Sequence, residues 1–276
     1  MTETPSAIIL AGNGINCEME TAHACRLGGF GQVDIVSMWE LFHGDATLEP
    51  YHLLVLAGGF LDGDDLGSGK AQAHRLHHAR VEKTGEPVMD QFLRFIQDRK
   101  LILGICNGFQ LMVKLGFVPA MDGDYLRRRA TLTHNDMSRF EDRWVVLRVN
   151  PDSPCIFTRG IESLYLPIRH GEGKFMAESK ETLSALKEAN LVATTYADPA
   201  TGESTRKYPA NPNGSQAAIA GICDPSGRLF GFMPHPEAFL HRTNHPRWTR
   251  EELPEEGAGV ALFRNACEYV QHTLCE

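Results

Sequence analysis

The chain has 276 residues, 42% of them hydrophobic, and a formal charge of −8 from 35 acidic residues against 27 lysines and arginines. That is enough apolar material for a substantial core, and an acidic balance without a long basic run excludes non-specific binding to nucleic acid or anionic membranes. No apolar stretch approaches the roughly 20 residues needed to span a bilayer, and the start is unlike a secretion leader, so a cytoplasmic location is expected.

Seven cysteines, Cys17, Cys25, Cys106, Cys155, Cys223, Cys267 and Cys275, are scattered along the chain without a CxxC pair. They read as free thiols, with no disulfide framework and no metal site. Cys17 and Cys25 fall where an early helix is expected and read as ordinary buried thiols. Arg127-Arg128-Arg129, the one tight basic cluster, reads as a solvated loop.

In chain order, the apolar runs Ala7–Leu10, Val33–Val36, Leu53–Leu56 and Leu101–Leu103 predict buried parallel strands. Helices are predicted between them at Glu18–Leu27, Ala71–Lys83 and Val88–Arg99, and another after them at Asn107–Leu115. Alternation of this kind predicts a doubly wound α/β fold. The second half is richer in strands, at Trp144–Val149, Leu164–Ile168, Val192–Tyr196, Ala217–Ile222 and Leu229–Phe232, with helices at Lys180–Ala189 and Gly257–Thr273. With no repeat and no linker, residues 1–276 read as one domain, its last strands joining the same sheet.

Chemistry concentrates at three strand ends. Gly104-Ile105-Cys106-Asn107-Gly108 puts a thiol at a sharp strand-to-helix turn, where the helix N-terminus favours the thiolate and Cys106 is placed to attack a carbonyl. A small buried hydrophobe is the other reading of such a cysteine. His235-Pro236-Glu237 follows the last strand, and prolines on both sides of His235 predict a stiff extended segment in which Glu237 turns to the same side as the histidine. Gly58-Gly59-Phe60 follows a third strand, and its backbone N–H groups suit an oxyanion.

On these residues the chain resembles the class I, triad-type glutamine amidotransferases: Gly104-x-Cys106-x-Gly108-x-Gln110 is similar to their elbow and His235-x-Glu237 to their His-x-Glu pair. His170-Gly-Glu172-Gly-Lys, Arg139-Phe-Glu-Asp-Arg-Trp-Val, Tyr208-Pro-Ala and Asn211-Pro-Asn-Gly-Ser215 narrow the resemblance to the glutaminase subunits of phosphoribosylformylglycinamidine synthase, over most of the chain. Departures fall at Leu61-Asp62 and Asp142, and Ala71–Pro87 and Leu240–Glu256 look longer than in compact members; none touches the triad.

The resemblance implies a flavodoxin-like, mostly parallel central sheet with helices on both faces and strand-rich additions. It implies a Cys106–His235–Glu237 triad that hydrolyses glutamine through a thioester, with an oxyanion against Gly59 and Asn107. Gly58, Phe60 and Gln110 would lie at the substrate, and His170 and Glu172 would position substrate or partner. Asn211–Ser215, a surface turn by composition, would lie near the pocket or partner. The implied partner is a larger synthetase subunit making formylglycinamidine ribonucleotide, often with a small third subunit. No cofactor is expected in this chain, which shows no Walker motif; ATP and magnesium are expected on the synthetase. A γ-glutamyl hydrolase, an amidotransferase of another pathway and a silent glutamine-binding module are the competing readings. The cationic and aromatic segment Arg242–Trp248 has the composition of an interface.

Overall fold

The computed structural model describes residues 3–64 and 66–275. Strands β1 (Ser6–Ala11), β2 (Gln32–Ser37), β3 (Leu53–Leu56) and β4 (Leu101–Ile105) appear at the predicted apolar runs. Side chains of β3 and β4 are almost fully buried, as expected for strands covered on both faces. The sheet order is β2-β1-β3-β4-β11-β10-β9-β6-β7, where β6 is Glu141–Val149, β7 Ser163–His170, β9 Val192–Ala197, β10 Ile219–Cys223 and β11 Leu229–Phe232. From β2 to β11 all neighbours are parallel; from β11 to β7 all are antiparallel. The late strands therefore extend the first sheet.

Helix α1 (Glu18–Gly28) links β1 to β2, α2 is Met38–His43, and α3 (Lys70–His78) and α4 (Val88–Gln97) lie between β3 and β4. The strand order reverses direction at β1, and right-handed crossovers then place α1 on one face and the α3–α4 connection on the other. Helix α4 is amphipathic in the plain sense: Val88, Met89, Phe92, Phe95 and Ile96 are buried one turn apart. Helix α5 (Asn107–Leu115) is buried at every position but Lys114. Helix α6 is Lys180–Glu188, and α7 (Val260–Thr273) packs on α1.

Several boundaries differ from the sequence reading. The helix predicted over Ala71–Lys83 stops at His78, because Ala79 turns extended and Arg80 bridges Pro87 in a tight hairpin closed by Val81 N–H donating to the Glu86 carbonyl. Ala217 and Ala218 have positive φ and lie before β10 rather than in it. Helix α2 was missed although Ser37 and Glu40 form a reciprocal capping box. Also missed were β5 (Ala130–Thr133) and β8 (Lys174–Ala177), which pair in a separate antiparallel ribbon.

Candidate active site

The site lies beyond the carboxyl ends of the parallel strands, beside the point where the order reverses, the usual crevice of an open α/β sheet. Cys106 is the turn itself, with φ 51° and ψ −103°, between β4 and α5. A non-glycine residue in that conformation costs about 1–3 kcal/mol, which the surrounding packing has to offset. The two flanking glycines serve close packing, and the turn itself falls on the cysteine. A Cβ at Gly104 would stand 2.4 Å from Met112 Sδ, and one at Gly108 1.8 Å from the Leu56 carbonyl oxygen. Cys106 N–H donates to the Phe232 carbonyl (2.9 Å), so the elbow is tied to β11, and its Sγ lies 3.6 Å from the Arg169 carbonyl of β7.

Beyond β11, His235 is extended and 3% exposed, and its N–H donates to the Pro167 carbonyl of β7 (2.9 Å). Its Nδ1 meets Glu237 Oε1 at 2.6 Å. Glu237 gets there from a short 3₁₀ turn, Pro236–Ala238, opened by the proline, and not by strand alternation as the sequence suggested: Pro236 has the fixed φ of a first helical residue and ends the extended run. His235 Nε2 has no hydrogen-bond partner among the described residues, and the thiols of Cys106 and Cys17 lie beside the ring. Burial opposes protonation of this imidazole, yet the Glu237 carboxylate and the neighbouring sulfurs outweigh it and raise it well above its ordinary range.

Gly59 has φ 147° and its segment bridges Ile15; a Cβ there would stand 2.6 Å from the Gly14 carbonyl oxygen. A Cβ on Gly58 would stand 2.8 Å from His235 Cε1, so this glycine leaves room for the imidazole. Phe60 N–H is taken by the Gly14 carbonyl (2.7 Å), and its exposed ring lies 6.4 Å from that of Phe140. Asn107 opens α5, where main-chain N–H groups have no helical acceptor. Its side chain accepts from Leu61 N–H (3.2 Å) and donates to Gln110 Oε1 (3.1 Å). Gln110 is buried, and its Nε2 donates to the Glu172 carbonyl (2.5 Å), so it braces the adjoining loop.

That loop holds the remaining candidates. His170 ends β7, buried, with Nδ1 3.2 Å from Asn135 Oδ1 and its ring over Gly173; burial, then the nearby His235, pull its pKa down to about 3. Glu172 accepts from Ser68 N–H through Oε2 (3.2 Å). Asn211, Asn213 and Ser215 are buried, contrary to the surface turn their composition suggests. Asn213 donates to the Gly173 carbonyl (2.8 Å), and Ser215 accepts from Phe175 N–H (3.0 Å). They are the scaffold under the His170–Glu172 loop.

The sequence reading missed Cys17. This residue precedes α1, and its Sγ would lie 3.4 Å from a Cβ at Gly58, against His235; burial raises its pKa. The usable signal was its place just past the end of β1, at the reversal point. Donor atoms of Cys17, His235 and Glu237 lie within 4.8 Å of one another, but the last two are already joined by the short hydrogen bond, which makes the trio a proton-handling cluster. All seven cysteines are free. In the Arg242–Trp248 segment, His245 is buried among Trp144, Tyr165 and Phe239, while Trp248 stays exposed.

Comparison with known proteins gives the family. Residues 4–270 match the family model of the CobB/CobQ-like glutamine amidotransferase domain. The chain is 42% identical over 264 residues to the phosphoribosylformylglycinamidine synthase subunit PurQ of Dehalococcoides mccartyi, and 39% over 275 residues to that of Methanococcus maripaludis, covering 96% of this chain and 97% of each relative. Its structure is similar to a chain of the solved PurLQS from Thermotoga maritima, with a TM-score of 0.69 at 26% identity, over 97% of this chain and 100% of that one. Matches of this extent mean that the chain belongs to the glutamine amidotransferases, in the family of phosphoribosylformylglycinamidine synthase PurQ subunits.

Proposed function

We propose that this chain hydrolyses glutamine at Cys106 and delivers the ammonia to a synthetase partner that converts formylglycinamide ribonucleotide to formylglycinamidine ribonucleotide. One observation carries the residue roles: a thiol held on a strained elbow beside a buried imidazole whose other nitrogen is bound to Glu237 at 2.6 Å. Cys106 thiolate adds to the side-chain amide carbon, and the carbonyl oxygen takes the negative charge against the N–H groups of Gly59 and Asn107. The carbon–nitrogen bond then breaks with a proton from His235, leaving a thioester and releasing ammonia. Water, deprotonated by His235, attacks the thioester and frees glutamate and the thiol. An imidazole raised above its ordinary range is suited to the donating half of this cycle, and Glu237 holds its tautomer.

Gln110 from α5, with His170 at the end of β7 and Glu172 just beyond it, shapes the pocket wall, and Phe60 stands at its rim. ATP and magnesium belong on the synthetase, whose docking keeps ammonia out of water; free glutaminase activity is therefore low.

The test is labelling by 6-diazo-5-oxo-norleucine, a glutamine mimic, read by intact mass with and without synthetase. One adduct on Cys106, absent in Cys106→Ala, is expected. No adduct under either condition would favour a silent glutamine-binding module.

A further inference from the structure

A wide cleft lies apart from the triad. It is a cleft of about 1470 Å³ between α3, the ribbon strand β5 and the end of α5, and it shares only Glu172 with the site. Its walls carry Lys70, Lys114 and Arg128 and the histidines His74, His77 and His78, against the carboxylates Asp64 and Glu172. Arg75, also on the wall, is neutralised by Asp62 at 3.1 Å. Lys114 and Arg128 have no carboxylate within ion-pair distance among the described residues, and the ammonium of Lys114 reaches only the Leu132 carbonyl (3.4 Å).

The cationic groups also act on one another. His77 is pulled below its ordinary range first by burial and then by His78, Arg128 and His74. Lys114 is lowered by burial, with Glu172 and Asp64 offsetting part of it. A concave wall on which Lys70, Lys114 and Arg128 stand together, with the α3 histidines beside them as hydrogen-bonding groups and Asp64 and Glu172 as the opposing carboxylates, is complementary to a compact anion. The volume exceeds what inorganic phosphate needs and accommodates a nucleotide-sized molecule.

The cleft is also joined to the thiol site by direct contacts. Glu172 Oε1 lies 3.7 Å from His134 Nδ1 on the cleft wall, and the Glu172 carbonyl accepts from Gln110, whose Oε1 accepts from Asn107, the residue after Cys106. We propose that the α3–β5 cleft binds a diphosphate-bearing small molecule through Lys114, Arg128 and the α3 histidines, and that its occupation alters glutamine binding through Glu172 and Gln110. The second half rests on the glutaminase reading of Cys106; the first does not.

Calorimetric titration of the full chain with pyrophosphate, and separately with ADP, tests the first half without any activity. Saturable binding is expected, weakened about 10-fold or more in Lys114→Met/Arg128→Ala, which loses two charge-assisted contacts. Arg128→Ala alone, at an exposed position, guards against loss of folding, and Cys106→Ala should bind like wild type. Tighter binding of ADP than of pyrophosphate would support the cleft and assign the diphosphate to a nucleotide. No binding of either probe at millimolar concentration, or equal binding in the double variant, overturns the proposal. Protection of the cleft only by added synthetase, with neither probe bound, would assign it to protein docking and overturn it as well. For the coupling, pyrophosphate should change the KM for glutamine in wild type and not in the double variant; an unchanged KM at saturation sinks that half, while labelling of Cys106 reports separately on the glutaminase reading.

Discussion

The two halves of the sheet contribute to the site in different ways. On the parallel side, Cys106, Gly58 and Gly59 are placed by backbone alone: a strand end, a turn and a helix start within a few residues. His235, which follows β11, the last strand paired in parallel, belongs with these reacting groups; on the antiparallel side, His170 and the Glu172 loop are placed by hydrogen bonds from far along the chain, among them those of Asn135 and Asn213. The parallel side supplies the reacting atoms with little freedom, and the antiparallel side supplies a wall whose position depends on a buried polar network. Mutations should therefore separate the two, one side losing rate and the other losing affinity and stability.

The largest expected effect is on the parallel side. Cys106→Ala should lower glutaminase activity by about 10⁴-fold or more while the melting temperature stays near wild type, because only the nucleophile is lost. Ammonia release and a thermal melt check both halves of that statement. Gly59→Ala should cost about 10²–10³-fold in kcat, the usual loss for one oxyanion donor, since its new Cβ meets the Gly14 carbonyl and moves the N–H. An unchanged kcat there would remove Gly59 from the oxyanion pocket.

The antiparallel side should respond to acid. Because the folded pKa of His170 is about 3 against about 6.5 unfolded, the unfolded chain binds the extra proton between those values, and stability falls as pH drops through that window. His235, raised in the fold, acts with the opposite sign but only above about pH 6.5. Urea melts at pH 4.5 and 7.5 should show a smaller pH difference in His170→Gln than in wild type. Asn213→Ala strips donors from the Gly173 carbonyl and the Tyr196 hydroxyl, and should cost about 1–3 kcal/mol in stability with a raised KM and a retained kcat. A fall in kcat alone would erase the contrast between the halves. The smallest effect is expected for Cys17→Ala, roughly 3- to 10-fold in kcat/KM, the worth of one contact to His235.

The same contrast explains what could be read from the sequence. Strands β1 to β4, the helix after Cys106 and the His-Pro-Glu unit were legible because local pattern determines them. Asn211–Ser215 was misread by composition, since turn-forming residues also satisfy buried backbone when tertiary contacts exclude water. Cys17 looked inert because nothing local distinguishes a thiol that caps a helix from one that faces an imidazole 218 residues later. The reach of Glu237 was anticipated, but its route through a 3₁₀ turn was not, because Pro236 suits both an extended run and the start of a helix.

The glycine contacts at the elbow also say where this pocket can be redesigned. At Gly58, Gly59, Gly104, Gly108 and Gly231 any side chain would begin less than 3.0 Å from a neighbouring atom. A randomised library has nothing to gain there. Diversity has room at the exposed rim, where Phe60 and the neighbouring Phe140 carry large side chains with solvent on one side. A library aimed at new acceptor enzymes for the ammonia would start from those two positions, with the interior left as it stands.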